Sequence, residues 1–365
     1  MGKKRLRFLL PALLLVGLGL FLLRGRRQEP VYLRTAAFGR LTENIRDDPF
    51  TVYRWDGGET YLPVFTAEEE VWPEASAIAG ETLYYAVRTE ETDCPLYRIY
   101  RLDLHKGEKE CLAELESRVW WLKTCGEELF LVVYDGNKRR NRLGVLREGA
   151  FLDCASTAVY HAPIACDDWG CWYVDYDGET FFTSLCYLPA DTLVPMAVYE
   201  NVPRPVDLQA APEGVYLSCQ YGEDFDAGTF SLFFYPRDGS GAADLLTDLI
   251  PHGPEVSEKK KAGFMGSFAL WRERLFYVTY HSSRPGEDQG CYLHCLDRKT
   301  GKVTDYGRIE PDTGVGTVEF RYLMSFGKRG FLLNASNWWA SEPEQANVFS
   351  FCTWSGKRTD LRLEG

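Results

Sequence analysis

Two hydrophobic patterns divide the chain. From Phe8 to Leu23 no residue is charged and the run is apolar throughout. An amphipathic or half-buried helix would need a polar face, which this segment lacks. Sixteen residues at about 1.5 Å per residue span roughly 24 Å, somewhat less than a hydrocarbon core of about 30 Å. Arg7 and Arg24 flank the run and can snorkel to make up the difference. Beyond residue 30 the pattern changes to short runs of aromatic and β-branched residues bounded by Gly, Asp and Pro, which predict strands. No long helical period follows the apolar run.

The strands recur in pairs. One copy of the recurrent unit is Tyr97-Arg98-Ile99-Tyr100-Arg101-Leu102-Asp103, followed by the turn His105-Lys106-Gly107-Glu108. Others are Phe50-Thr51-Val52-Tyr53-Arg54-Trp55 before Asp56-Gly57-Gly58, and Tyr292-Leu293-His294-Cys295-Leu296-Asp297 before Arg298-Lys299-Thr300-Gly301. Weaker copies end near Leu146, Leu188, Tyr235 and Trp354, so that successive copies from Trp55 onward are 47, 44, 42, 47, 61 and 58 residues apart. A second strand precedes most copies, as in Thr82–Val87, Glu128–Tyr134, Gly214–Ser218, Arg274–Tyr280 and Gly330–Asn334. Strand sets at this spacing predict four-stranded blades around an axis, stabilised by packing face to face. The expected fold is therefore all-β, a β-propeller of about seven blades. Six or eight blades, or a pair of β-sandwich domains, are the alternatives the spacing leaves.

The segments Leu83-Tyr84-Tyr85, Leu96-Tyr97-Arg98-Ile99-Tyr100-Arg101-Leu102-Asp103 and Leu296-Asp297-Arg298-Lys299-Thr300-Gly301 resemble the repeats of bacterial exported propellers of the TolB-like and lipoprotein-receptor-like kind. The resemblance spans about residues 31–365 and concerns the repeat alone. The chain lacks the Tyr-Trp-Thr-Asp signature of receptor propellers. What the resemblance implies is a fold and an exported setting, without catalytic residues, because propellers host unrelated activities.

The terminus gives the fold a location. Residues 1–27 are expected to form a basic N-terminus with a transmembrane signal-anchor helix, and residues 28–365 an extracytoplasmic propeller domain. A cleaved signal peptide or a core helix are the competing readings. Against cleavage, Arg24-Gly25-Arg26-Arg27 stands where a signal peptidase needs small residues. The first cysteine is Cys94, so no lipid-modified cysteine follows the run. Lys3, Lys4, Arg5, Arg7 and the terminal amine outweigh Arg24, Arg26, Arg27 and Arg34 only narrowly, favouring a C-terminal domain outside the cell membrane.

Charge narrows the partners. The first 27 residues hold seven of the 41 basic residues and none of the 53 acids, leaving −19 on the remainder. Long-range attraction to nucleic acid or anionic polymers is excluded on that balance, which leaves cations, glycans and proteins. Eleven cysteines, mostly in apolar runs, read as buried thiols; a Cys166–Cys171 disulfide is the alternative in an oxidising compartment.

In such a ring the loops between second and third strands are the long, variable ones, where function concentrates. Most are acidic, including Glu90-Glu91-Thr92-Asp93, Glu223-Asp224-Phe225-Asp226 and Glu287-Asp288. One is basic, with Lys138, Arg139 and Arg140, and one carries Trp338 and Trp339. Asp224, Asp226, the basic trio and the tryptophan pair are thus candidate ligand-binding residues for a protein or glycan near the membrane. Asp175 and Asp177 before Gly178 form a candidate calcium site, although the distal bidentate acid of a calcium loop is missing; no other cofactor is expected. The stretch from Glu255 to Lys261 reads as a surface insertion. No nucleophile elbow, phosphate loop, zinc helix or Cys-x-x-Cys pair occurs, and of the five histidines only His281 heads a long loop.

These features favour a membrane-anchored binding or scaffolding module. A carbohydrate hydrolase or lyase built on acidic loops is the alternative, and a sensor or assembly factor of an envelope complex a third. An impermeant thiol reagent applied to intact cells is expected to label the chain, and labelling only after lysis would contradict the outside placement.

Overall fold

A computed structural model describes residues 31–34, 50–89, 96–136, 140–157, 163–176, 183–202, 205–221, 229–249, 261–282, 290–308, 318–337 and 347–363. They form seven sheets of four strands each. The first blade contains β1 (Val31–Arg34), β2 (Thr51–Trp55) and β3 (Thr60–Thr66). Blade 2 comprises β4 (Val71–Ala79), β5 (Thr82–Arg88), β6 (Tyr97–Asp103) and β7 (Lys109–Leu115). Blade 3 follows with β8 (Arg118–Cys125), β9 (Glu128–Asp135), β10 (Arg140–Arg147) and β11 (Ala150–Thr157). Blade 4 has β12 (Ile164–Cys166), β13 (Gly170–Tyr176), β14 (Thr183–Pro189) and β15 (Met196–Val202). Blade 5 is β16 (Pro205–Ala211), β17 (Gly214–Tyr221), β18 (Thr229–Pro236) and β19 (Ala243–Leu249). Blade 6 is β20 (Lys261–Trp271), β21 (Arg274–Ser282), β22 (Gly290–Asp297) and β23 (Lys302–Arg308). Blade 7 is β24 (Val318–Ser325), β25 (Phe331–Asn337), β26 (Asn347–Cys352) and β27 (Arg358–Asp360), and β28 (Arg362–Leu363) ends the described chain. The seven-bladed expectation holds and the sandwich alternative falls.

The sheets are apolar on both faces, and that property drives the ring. In β9, Leu129, Leu131 and Val133 pack against blade 2, whereas Phe130 and Val132 pack toward blade 4. Strand periodicity of two explains the division. Seven apolar clusters, one for each interface between neighbouring blades, account for the core of the described residues. The seventh closes the circle: Leu332 and Phe349 of blade 7 meet Val31, Leu33, Trp55 and Tyr61 of blade 1, with Leu361 between them.

Blade 1 departs from the regular plan. In blades 2 to 7 the innermost strand is followed by its own short turn and the sheet order matches the chain order. In blade 1 the fourth strand is β28, paired parallel to β3 through Arg362 opposite Thr60 and Leu363 opposite Tyr61. The repeat register explains why: Trp55 on β2 occupies the place of Leu102 on β6, the third strand of its blade. By that register β1, β2 and β3 are second, third and fourth strands. Their directions agree, because Tyr32 on β1 lies near Glu81 and Asp103 in the turns of blade 2, while Ala67 after β3 donates its N–H to Phe50 at the opposite end. Among the described residues blade 1 therefore has no innermost strand of its own, and the C-terminal β28 joins its outer edge instead.

Interblade bonds gather on the face that carries the first–second and third–fourth turns, called here the short-turn face. Arg147 is held by both oxygens of Glu128 and donates to the Ala190 carbonyl of blade 4 at 2.8 Å. Arg298 of blade 6 reaches Glu213 of blade 5 at 3.4 Å, and Arg274 of blade 6 donates to the Trp354 carbonyl of blade 7. Substituting Leu361 by Ala, which empties the closing cluster while leaving β28 intact, is expected to cost about 2–4 kcal/mol, read as a lower midpoint in urea unfolding.

Candidate functional site

Among the described residues, β1 stands at the axis with no strand on its inner side. A cavity of about 580 Å³ opens there, walled by Val31 and Tyr32 of β1, Ser76 to Ile78 and Gly80 of blade 2, and Lys123 and Thr124 of blade 3. Ile164 to Cys166, Leu208 to Ala210, Met324, Phe326 and Arg329 complete the wall. Most of these residues lie at the C-terminal ends of innermost strands, beside the short turns, so the cavity belongs to the short-turn end of the axis. Its wall mixes aliphatic surface with an ammonium, a guanidinium, three hydroxyls, an amide and a thiol, a composition suited to orienting a bound group rather than merely enclosing it.

One carboxyl borders this space. Asp207 precedes the wall residue Leu208 and accepts its N–H at 2.9 Å. Burial pushes the Asp207 carboxyl up to about 6, an effect that Lys123 and the Leu208 N–H offset only in part. The described wall itself contains no carboxylate, so the acid–base pair of a glycosidase is not assembled on it. Among the described residues no three His, Cys, Asp or Glu side chains gather as metal ligands.

A second polar cluster ties blade 4 to blade 5. Asp167, in the turn after β12, has a side chain only 6 % exposed. Its Oδ1 accepts the N–H groups of Trp169 and Gly170 at 2.9 and 3.0 Å and the Tyr187 hydroxyl at 2.9 Å. Its Oδ2 accepts Trp172 Nε1 at 3.1 Å and the Arg237 guanidinium. The carboxylate is fully engaged, and burial raises the pKa of Tyr187. This cluster reads as a structural clasp. Gly170 is required at its end, since a Cβ would stand 2.4 Å from the Leu188 carbonyl oxygen.

Of the residues singled out by sequence, Lys138, Arg139, Asp177, Asp224, Asp226, Trp338 and Trp339 lie outside the described residues. Arg140 begins β10 opposite Asp135 and is exposed, so it is a strand residue and not part of a loop. Asp175 likewise sits within β13, half-buried opposite Ser184. His281 pairs with Ala262 and Gly290 near the end of β21. Lys261 starts β20, and the rest of the charged insertion lies outside the described residues. Asn334 of the single Asn-x-Ser sequence is fully buried, which excludes a glycan on it in this fold.

Cys111, Cys125, Cys154, Cys166, Cys171, Cys186, Cys295 and Cys352 are free thiols. Cys166 and Cys171 face each other across β12 and β13, but as thiols. Burial raises Cys171 well above the ordinary thiol range and pushes Cys125 up to about 12, so neither is a nucleophile.

Sequence reading missed the axial residues Lys123, Gln209, Asp207 and Arg329. The innermost strands are the least regular in composition, and Pro205-Val206-Asp207-Leu208-Gln209 gives only a weak alternation as its signal. Trp169 was missed because it stands in the short turn between β12 and β13, away from the long second–third loops on which the sequence reading concentrated.

No protein-family model matches the chain, and no curated protein sequence matches it. Similarity appears in shape. The β-propeller domain of the Trilobed protease from Pyrococcus furiosus, described as having an open velcro topology, is 13 % identical, with a TM-score of 0.52 over 92 % of this chain and 93 % of that one. TolB from Acinetobacter baumannii is 10 % identical at a TM-score of 0.41, over 92 % and 83 %. Oligogalacturonate lyase from Vibrio parahaemolyticus is 11 % identical at 0.49, over 91 % and 85 %. The class shared with the first of these is the β-propeller, and at identities this low the likeness extends to the fold alone.

Because Asp207 has a folded pKa of about 6 against an ordinary 3.8, the folded chain binds the extra proton. Its contribution is complete below about pH 4 and is lost as pH rises through about 6. Asp207→Asn is expected to gain up to about 3 kcal/mol at pH 7 and little at pH 4, measured by urea unfolding at both pH values. An equal effect at the two pH values would contradict the assignment.

Proposed function

We propose that the chain is a membrane-tethered binding module on the extracytoplasmic side, taking an extended segment of a partner protein at the axial cavity. The observation that carries the reading is the absent innermost strand of blade 1. Among the described residues β1 has one strand partner, β2, and its other edge borders a cavity with a mixed polar and apolar wall. A peptide laid along such an edge gains main-chain hydrogen bonds, while wall residues such as Lys123, Gln209 and Phe326 select its side chains. The uncharged run from Phe8 to Leu23 supports the tether. The reading of the chain as a carbohydrate hydrolase or lyase has less support, since Asp207 has no carboxylate partner in the described wall.

A photo-crosslinking residue placed at Gln209 in the full-length protein in its native membrane is expected to trap a discrete protein adduct. One placed at the exposed Arg101 of β6 is expected to trap none. Absence of an adduct at Gln209, or equal trapping at both positions, would overturn the proposal.

A further inference from the structure

We infer that the short-turn face is turned toward the bilayer and that Trp169, Val194 and Met196 enter its interfacial layer. This rests on the tether reading above and adds to it the orientation of the ring and the residues that touch lipid.

The first argument is reach. β1 starts at the short-turn face beside the axis, since Val31 and Tyr32 wall the cavity together with Gly80, Thr124, Cys166 and Arg329. Between Arg27, the last residue of the basic flank, and Val31 stand only Gln28, Glu29 and Pro30. Four steps of chain cover at most about 14 Å. To put the opposite face on the membrane the chain would have to pass the height of a blade, whose strands of seven or eight residues measure roughly 25 Å. The short tether leaves the short-turn face as the one that meets the lipid.

The second argument is where apolar surface is exposed. Among the described residues the large exposed hydrophobic side chains are Leu152, Trp169, Val194, Met196 and Val303. Each lies in a short turn of this face or within three residues of one. Four of them sit on blades 3 and 4, and the most exposed are Val194 at 61 %, Trp169 at 55 % and Met196 at 47 %. The two turns of blade 4 that carry them are bonded to each other: Ala190, which opens the turn before Val194 and Met196, donates its N–H to the Trp169 carbonyl at 2.8 Å, and Arg147 of blade 3 binds the Ala190 carbonyl. Arg237 stands 4.9 Å from the centre of the Trp169 ring. A tryptophan with a cation beside it is the pairing favoured at headgroup depth.

Charge allows this contact. The sequence's acidic clusters, such as Glu223-Asp224-Phe225-Asp226 and Glu287-Asp288, fall between second and third strands, connections that leave the other face. The short-turn face is mixed, with Arg272, Arg298, Lys299, Lys302, Lys328 and Lys357 on blades 6 and 7 and the exposed Glu148, Asp168 and Asp191 around the patch. A mixed face of this kind is not drawn strongly to anionic lipid. The tether supplies the high effective concentration, and three apolar side chains then suffice for contact, with zwitterionic lipid as the favoured surface around Trp169.

The test uses the full-length protein reconstituted in phosphatidylcholine vesicles whose lipids carry bromine near the headgroup, which quenches tryptophan at that depth. Flotation with the vesicles is expected, and Trp169→Phe is expected to remove at least half of the lipid-dependent quenching. Val194→Asp/Met196→Asp should reduce it, and Trp338→Phe/Trp339→Phe should leave it unchanged. Failure to float would overturn the tether and the orientation together. Flotation with quenching unaffected by Trp169→Phe, or lost in the Trp338/Trp339 variant, would overturn the orientation alone. Protection of Trp169 that grows with protein concentration in lipid-free detergent would assign the patch to a second copy of the chain and overturn it as well.

Discussion

Everything in this molecule depends on closing a ring of sheets that are apolar on both faces. A single blade such as β8 to β11 buries Leu129, Leu131 and Val133 on one side and Phe130 and Val132 on the other, and it has no stable existence without both neighbours. A linear stack of such sheets would leave two apolar ends in water. The ring removes them, and the contact between blades 7 and 1 carries that duty through Leu332, Phe349, Leu33, Trp55 and Leu361.

The closure is achieved in an economical way that shapes the axis. Propeller rings are commonly locked by a blade built from both termini; here the C-terminal contribution is the two-residue β28 on the outer edge of blade 1, and side-chain packing does most of the rest. The inner edge of the same blade is left without a strand among the described residues. Blade 1 thus has a thin outer lock on one side and, among the described residues, an unpaired strand edge beside the axial cavity on the other. The arginine bonds on the short-turn face, from Arg147, Arg237, Arg274 and Arg298, fix neighbouring blades beside the cavity mouth. Most are partly exposed, and pairs of that kind contribute little stability individually; their value lies in orientation.

The two faces are consequently different in kind. The short-turn face is bonded across blades and carries the cavity mouth, the exposed apolar residues of blades 3 and 4 and the start of β1. At the other face the second strands end and the third strands begin. Under the proposed tether a partner reaching the cavity would approach from the membrane side, so the proposed binding and the proposed orientation are compatible only for a partner embedded in, or lying on, the same bilayer.

The sequence by itself determined the repeating unit, because second and third strands are the most regular: Leu83-Tyr84-Tyr85 and Tyr97 to Leu102 lie in the middle of their sheets, apolar toward both neighbours. Their spacing pointed to about seven blades, with six or eight left open, and the structure settled the number at seven. The tertiary structure decided what local pattern does not encode. That β1 is a second strand, that β28 runs parallel beside β3, that Lys123 and Asp207 on different blades share one axis, and that Trp169, Val194 and Met196 are exposed on the same face of blade 4 are all decided by how the strands assemble. Their residue types carry no periodic signal, since each is set by the geometry of a closed ring and not by the strand in which it stands.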